Sequence, residues 1–445
     1  MEGITKRLAR FVVETDHSIV PDHVFGHAKY AFLDYLTVLL EGASEPLAKK
    51  LVKFAETMGG AEQATIPRGK CGKKSVSHAA LINGAAAHAL DYDDTLLKWL
   101  GHPSVTIFPA LMALSEWQEK SGLDFLTAYL VGIQVGSVVG ASAGYDHYMK
   151  GWHNTATIGH FGSAAACAKL LGLNLEQTVN ALGIAGTRSA GLKQVFGTMC
   201  KPYHAGMASE AGLIAALLAQ DDFDSASDIL EGKQGFFHCL EGTPNEEMLE
   251  SLGRDWEVVN LAQKYHASCH ATHSPIEAAM KLVQDENIDL SNIETINLGV
   301  SNLALDVAAV ENPTTALEGK FSINYCVANA LLRGVTDQSA FTDEKVNAPE
   351  VRAIMNRINL QHDGEMDLVE SIAKIETKDG RSYQQSYDIM KQIPPLELKA
   401  QKLTSKFFGI CDSILGQEQA KTLHSEVIRL EKTENMKTFI EKQNF

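Results

Sequence analysis

Signatures that would name a chemistry at once are missing from this chain. It holds no G-x-G-x-x-G, no G-x-x-x-x-G-K-[ST] and no H-E-x-x-H. Their absence sets aside dinucleotide and nucleotide-phosphate readings and leaves acid–base chemistry with no organic cofactor. Positive charge is also short, with 39 Lys and Arg against 55 Asp and Glu, a formal net charge of −16. A nucleic-acid partner needs a basic face, so none is expected. An anionic ligand would need a local positive island of Lys, protonated His and helix N-termini. The seven cysteines (71, 167, 200, 239, 269, 326, 411) are scattered, with no C-x-x-C pair. That is the usage of reduced thiols in a cytoplasmic protein. No apolar run reads as long enough for a membrane span. The start, MEGITKRLARFVVETD, is an amphipathic helix with charges spread through it rather than a signal peptide.

What is present is mostly helix. With 45% hydrophobic and 21% charged residues in 445, the composition is that of a soluble globular protein too long for one core. Residues 4–57 read as three amphipathic helices, the second opened by Pro21 and stopped at Gly42. Residues 60–74 read as loop with one short extended piece, ATIP. From 75 to 240 the segments are helical and rich in Ala, Gly and Leu, which lets helices approach closely in an all-α core. Near residue 255 the character changes. WEVVNL is short and β-branched, IETINLGV reads as a strand, and SIAKIETKDGRSYQQSYDI reads as a hairpin with Asp379-Gly380 as a type I′ turn. Residues 397–440 return to helix. The expected fold is mostly α, with an all-helical domain built from 1–261 and 397–445 and a smaller α+β domain at 262–396.

One stretch stands out, HALDYDDTLLKWLGHPSVTIFP from His88 to Pro109. Asp91, Asp93 and Asp94 put three carboxylates in four positions between apolar helices, followed by Thr95 and then His102. Like charges beside apolar surface cost free energy unless partners or water compensate. A functional loop on a rigid scaffold fits this pattern, and so does a plain capped helix–loop–helix with solvated aspartates.

Four further places could carry chemistry. His153 lies in the polar loop KGWHNT, where a lone histidine also serves as a cap. Lys201, before Pro202 and a helix, could form an anion pocket with that helix's N-terminal amides, or be a surface lysine. The run KYHASCHATHSP sets Lys264, three histidines including His273, and a cysteine in ten positions. Its Ser274-Pro275 reads as an N-cap with proline at N1. Zinc is the obvious candidate for His and Cys, but the spacing fits no standard finger, and an anion-binding elbow is the richer reading. In KFSINY, Tyr325 opens a helix, either as a proton donor or as a core aromatic with a satisfied hydroxyl.

Taken together and in order, HALDYDDTL, GHPS, GWHNT, KPYHAG, KYHASCHATH and KFSINYCVANAL resemble the MmgE/PrpD family. That family includes 2-methylcitrate dehydratases, cis-aconitate decarboxylases and iminodisuccinate epimerases. The resemblance runs through most of the chain. It implies a helical domain from both chain ends with a small α+β lid, a homodimer, an interdomain active site and no metal or cofactor. By motif it places His102, His153, Asp91 and Tyr325 in catalysis, and Thr95, Lys201 and Lys264 in binding a small polycarboxylate, and His273 of the Lys264 run is expected to join the binding set. His102 would be the principal acid/base with Asp91 orienting it or its neighbour, His153 a second acid/base or a carboxylate clamp, and Tyr325 a lid-borne donor. Lys201, Lys264 and protonated histidines would hold carboxylates and stabilise a carbanion as it forms. The short Thr95–His102 segment lacks the longer acidic form associated with 2-methylcitrate dehydratases. A cis-aconitate decarboxylase-like lyase is therefore expected first. An epimerase or a dehydratase is the alternative, with a catalytically dead binding protein as the reading from another class.

Overall fold

The computed structural model describes residues 2–67, 72–240, 242–334, 336–362, 366–367 and 369–443. The chain divides into two compact units, Met1–Gln263 with Pro395–Phe445, and Lys264–Pro394.

The larger unit is built on α1 (Ile4–Glu14), α2 (Asp22–Gly42), α3 (Pro46–Met58), α4 (Val76–Ala87), α5 (Ser104–Trp117), α6 (Gly122–Met149), α7 (Asn154–Leu171), α8 (Leu175–Arg188) and α9 (Cys200–Gln220). Local sequence sets several of these ends. Pro46 opens α3, Asn174 and Gln177 form a reciprocal capping box on α8, and Gly172 closes α7 in the left-handed region at φ 69°. The ATIP piece supplies β1 (Ala64–Thr65), which pairs antiparallel with β2 (Lys73–Lys74). WEVVNL is not extended but holds a 3₁₀ turn, Glu257–Asn260. After the second unit the chain returns as the helix Leu396–Leu415, packed against α2.

Close approach of α4 to α9 depends on two glycines. A Cβ on Gly206 would lie 2.1 Å from the Leu81 carbonyl oxygen, and one on Gly84 would lie 2.7 Å from the Gly206 Cα. One expectation fails here. The 28 residues of α6 are long and apolar enough to cross a membrane, although their most apolar window is 94% buried within the protein. Polar Gln134 and Ser137 interrupt the run in sequence. In the fold both are buried and satisfied, Gln134 Nε2 donating to the Asp255 carbonyl and Ser137 Oγ to that of Ile133. Cys167, Cys200, Cys239, Cys269, Cys326 and Cys411 are free thiols, and Cys71 lies outside the described residues.

The smaller unit carries a four-stranded sheet in the order β4 (Ile358–His362), β3 (Ile293–Val300), β5 (Glu370–Thr377), β6 (Ser382–Asp388), with only β3–β4 parallel. Alternation buries Ser371, Ala373, Ile375 and Thr377 of β5, and the helix His273–Asp285 packs on β5 and β6. The β5–β6 hairpin forms, but its turn is not type I′. Only Gly380 has positive φ, 83°. Gly380 N donates to the Thr377 carbonyl at 2.8 Å, and Thr377 N to that of Arg381 at 2.9 Å. Asp379 instead binds Thr377 Oγ1 and the Arg381 guanidinium, which fits a type I turn followed by a left-handed glycine.

Candidate active site

His88 caps the C-terminus of α4, and α5 begins at Ser104 after Pro103. The connection between them is held rigidly. Trp99 is fully buried and donates from Nε1 to Ser137 Oγ at 3.1 Å, and its ring occupies the space left by Gly136 and Gly162. Its carbonyl accepts from Asn154 Nδ2 at 2.9 Å. Thr95 and Ala262 exchange two backbone hydrogen bonds of 2.9 Å. Asp91 takes φ 53°, a left-handed conformation that aspartate tolerates better than most residues and that clusters at functional sites.

The three neighbouring aspartates meet three different fates, which answers the charge problem posed by the sequence. Asp91 Oδ1 pairs with Lys201 Nζ at 2.8 Å. Asp93 lies between two imidazoles, with His88 Nδ1 2.9 Å from Oδ1 and His102 Nδ1 3.0 Å from Oδ2. Burial opposes ionisation of Asp93, but the two imidazoles outweigh it and hold the carboxyl well below the usual range. Asp94 turns into the core, where Ser104 Oγ donates to it at 2.5 Å and meets Tyr129 Oη at 2.7 Å. Burial, opposed by the Ser104 hydroxyl and reinforced by Asp34 and Asp93, pushes Asp94 up to about 8. It is therefore a neutral acid at pH 7.

The result is a continuous series, Lys201–Asp91–His102–Asp93–His88. Its middle link is the 3.6 Å from Asp91 Oδ1 to His102 Nε2. The end with Lys201, Asp91 and His102 keeps some solvent access, at 19%, 23% and 12% of their side chains, while His88 and Asp93 are closed off. His153 lies beside the series, Nδ1 to Nδ1 2.9 Å from His204, with its ring 6.3 Å from that of His88. Burial first, then the charge of Lys201, holds His153 well below the usual histidine range. Burial there favours the neutral imidazole over its cation. Asp91 pairs with Lys201 and also lies 3.6 Å from His102 Nε2, while Asp93 is the carboxylate nearer to His102, at its Nδ1.

His88, Asp91, Asp93 and His102 bring ligand atoms within 4.8 Å of one another, the one such metal-capable group among the described residues. Lys201 already supplies a counter-charge to Asp91, and the two imidazoles give Asp93 hydrogen-bonding partners.

The other unit holds Lys264, His273 and Tyr325. Lys264 is buried, and His266 and His270 each bring a ring centroid within 4.8 Å of His273. His273 is fully buried and donates from Nε2 to the Ser268 carbonyl at 3.3 Å. Burial, then His270, His266 and Lys264, holds it well below the usual range, which favours the neutral imidazole. It opens its helix with Thr272 as N-cap, and Ser274 is not the cap: its Oγ accepts from Ile389 N at 3.1 Å. Tyr325 is buried and donates to the Ala340 carbonyl at 2.5 Å, with burial pushing its hydroxyl up to about 12. This is the core-aromatic alternative.

Thus Asp91, His102, His153 and Lys201 are brought together by the larger unit. Thr95 contributes through its backbone, and His88, Asp93 and His204 are site members that sequence reasoning left out. The signal for His88 and Asp93 lay in HALDYDD itself, where either could have been the orienting partner. Nothing in sequence pairs His204 with His153.

Comparison with known proteins adds to this geometry. The MmgE/PrpD N-terminal domain matches residues 6–248, and the MmgE/PrpD C-terminal domain matches 266–432. A cis-aconitate decarboxylase-like protein, oryM, of Aspergillus oryzae is 29% identical, over 96% of this chain and 95% of its own. The cis-aconitate decarboxylase of Mus musculus is 27% identical over 98% and 92%. A 2-methylcitrate dehydratase of Escherichia coli O157:H7 is 24% identical over 80% and 79%.

Proposed function

The chain belongs to the MmgE/PrpD family, and from that premise we propose that it is a lyase of the cis-aconitate decarboxylase type, forming itaconate without a cofactor. The observation that carries this reading is the series Lys201–Asp91–His102–Asp93–His88. It combines an accessible ammonium with an imidazole whose Nδ1 is committed to a buried carboxylate. That commitment leaves Nε2 of His102 as the working nitrogen, and imidazole is the side chain suited to act as both acid and base.

Lys201 binds a carboxylate of the substrate by a charge-assisted hydrogen bond. The bond to the departing carboxylate breaks, CO₂ leaves, and its electron pair stays on carbon, delocalised into the neighbouring unsaturated acid. The fixed ammonium stabilises that charge as it grows. His102 delivers the proton from Nε2, and solvent restores it.

Proton NMR of purified enzyme in D₂O with cis-aconitate, 2-methylcitrate, citrate and iminodisuccinate tests the reading. Loss of cis-aconitate with growth of itaconate signals is expected. Dehydration products would favour the hydro-lyase relatives, and deuterium wash-in at an α-carbon without net product would favour an epimerase. His102→Ala should abolish most turnover while the protein stays folded, and near-wild-type turnover would remove His102 from its role.

A further inference from the structure

The carboxylates of the site are placed by a segment far away in sequence. Between Asp91 and Asp93, the carbonyl of Tyr92 accepts a hydrogen bond of 2.7 Å from Lys406 Nζ, on the helix Leu396–Leu415. The same ammonium lies 2.6 Å from Asp34 Oδ1 of α2 and 3.7 Å from the centre of the Tyr92 ring. Both charged side chains are almost wholly buried, at 3% and 2% exposure. Two turns earlier on that helix, fully buried Lys399 donates to the Leu261 carbonyl at 3.0 Å and sits 3.3 Å from His27 Nδ1. Leu261 precedes Ala262, whose backbone is paired with Thr95. One helix face thus grips both sides of the Thr95–Ala262 bridge.

We propose that Lys406 is a positioning residue of the acid–base site, fixing the Tyr92 peptide so that Asp91 faces Lys201 and Asp93 faces His102. The proposal rests on the reading of His102 and Lys201 given above. The Tyr92 carbonyl belongs to the peptide unit joining Tyr92 to Asp93, so fixing it sets ψ of Tyr92 and φ of Asp93 and with them the direction in which the Asp93 side chain leaves the backbone, with Asp91 one residue back along the same anchored segment. Burying a charge pair is a costly way to gain stability alone, since well-packed apolar residues of similar volume commonly do as well. What an apolar pair cannot do is donate to the Tyr92 carbonyl.

That difference gives the test. Lys406→Met alone strands the buried Asp34 and is expected to unfold early. The double variant Asp34→Leu, Lys406→Met removes the charge pair as a unit, and it is compared with wild type in two ways. Its thermal midpoint should stay near that of wild type while kcat on cis-aconitate falls about tenfold or more and KM changes much less, the size seen when an outer supporting group is lost. Separately, nitrogen-15 NMR of the imidazoles reads the His88 and His102 bonds to Asp93 with no substrate present, and those resonances should shift in the double variant. A stable double variant with wild-type kcat and unchanged imidazole resonances overturns the proposal. If wild type does not turn over cis-aconitate, the functional reading has failed, and the imidazole comparison still decides the placement.

Discussion

Asp93 Oδ2 lies 3.0 Å from Nδ1 of His102, and both residues lie on the connection between α4 and α5 that buried Trp99 ties to Ser137 and Asn154. This contact fixes which ring nitrogen of His102 can exchange protons with a substrate. Asp93→Asn replaces an obligate acceptor by a group that can donate, so His102 loses both its orientation and the negative charge that stabilises its protonated form. Turnover should fall by about 100-fold, within the range that positioned acid–base catalysis contributes. Steady-state kinetics check this, and a loss under threefold would contradict it.

On the proposed reading Lys201 both holds a substrate carboxylate and stabilises the growing charge, so its loss should be read in KM and in kcat. Lys201→Met removes one charge-assisted hydrogen bond, worth about 1.5–3 kcal/mol, or roughly 10- to 150-fold in affinity. KM for the polycarboxylate should rise by that order, with a smaller fall in kcat. A change confined to kcat would place Lys201 in the transition state alone.

Buried neutral histidines make the fold acid-sensitive. Burial pushes His27, His147 and His160 down to about 4, Lys399 adding to the effect at His27, and holds His153 and His273 well below their usual range. In the unfolded chain an imidazole takes up its proton near pH 6.5. Between about 4 and 6.5 the unfolded state therefore binds more protons, and stability is lost as pH falls through that window. The urea midpoint should be clearly lower at pH 5 than at pH 7, and His160→Gln should narrow the gap. Equal midpoints at both pH values would show that these histidines are not neutral in the fold.

Asp94 acts in the opposite sense. Its folded value of about 8 exceeds the unfolded one, so the folded state holds a proton the unfolded state has released. Its contribution falls as pH rises between roughly 4 and 8. Above pH 6.5 the histidines no longer oppose it, and stability should decline toward pH 8. Asp94→Asn should flatten that decline, read from the same urea titrations.

Gly206→Ala tests the packing beneath the site. The new Cβ would stand 2.1 Å from the Leu81 carbonyl, and α4, which carries His88 at its end, would have to move. A loss of about 1–3 kcal/mol is expected by analogy with overpacked cores. Thermal unfolding measures it, and an unchanged midpoint would mean that the α4–α9 contact is looser than described.

Much of this molecule was legible in the chain itself. Helical spacing and its punctuation by Pro21 and Gly42 located the long helices, because local backbone and side-chain preferences act over a few residues. The ordered motifs singled out Asp91, His102, His153 and Lys201, which the larger unit brings together. Turn detail was less accessible: Asp-Gly alone does not distinguish a type I′ turn from a type I turn with a following left-handed glycine, and Asp379 was decided by its bonds to Thr377 and Arg381.

Protonation and partnership belonged to the tertiary structure. Asp91, Asp93 and Asp94 are the same residue type within four positions, yet one pairs with Lys201, one with two imidazoles, and one stays protonated in the core. Residue type sets what each group can do. Desolvation and the charges within a few ångströms set what it does, and those come from α9, the end of α4 and the start of α5, which only folding brings to one place.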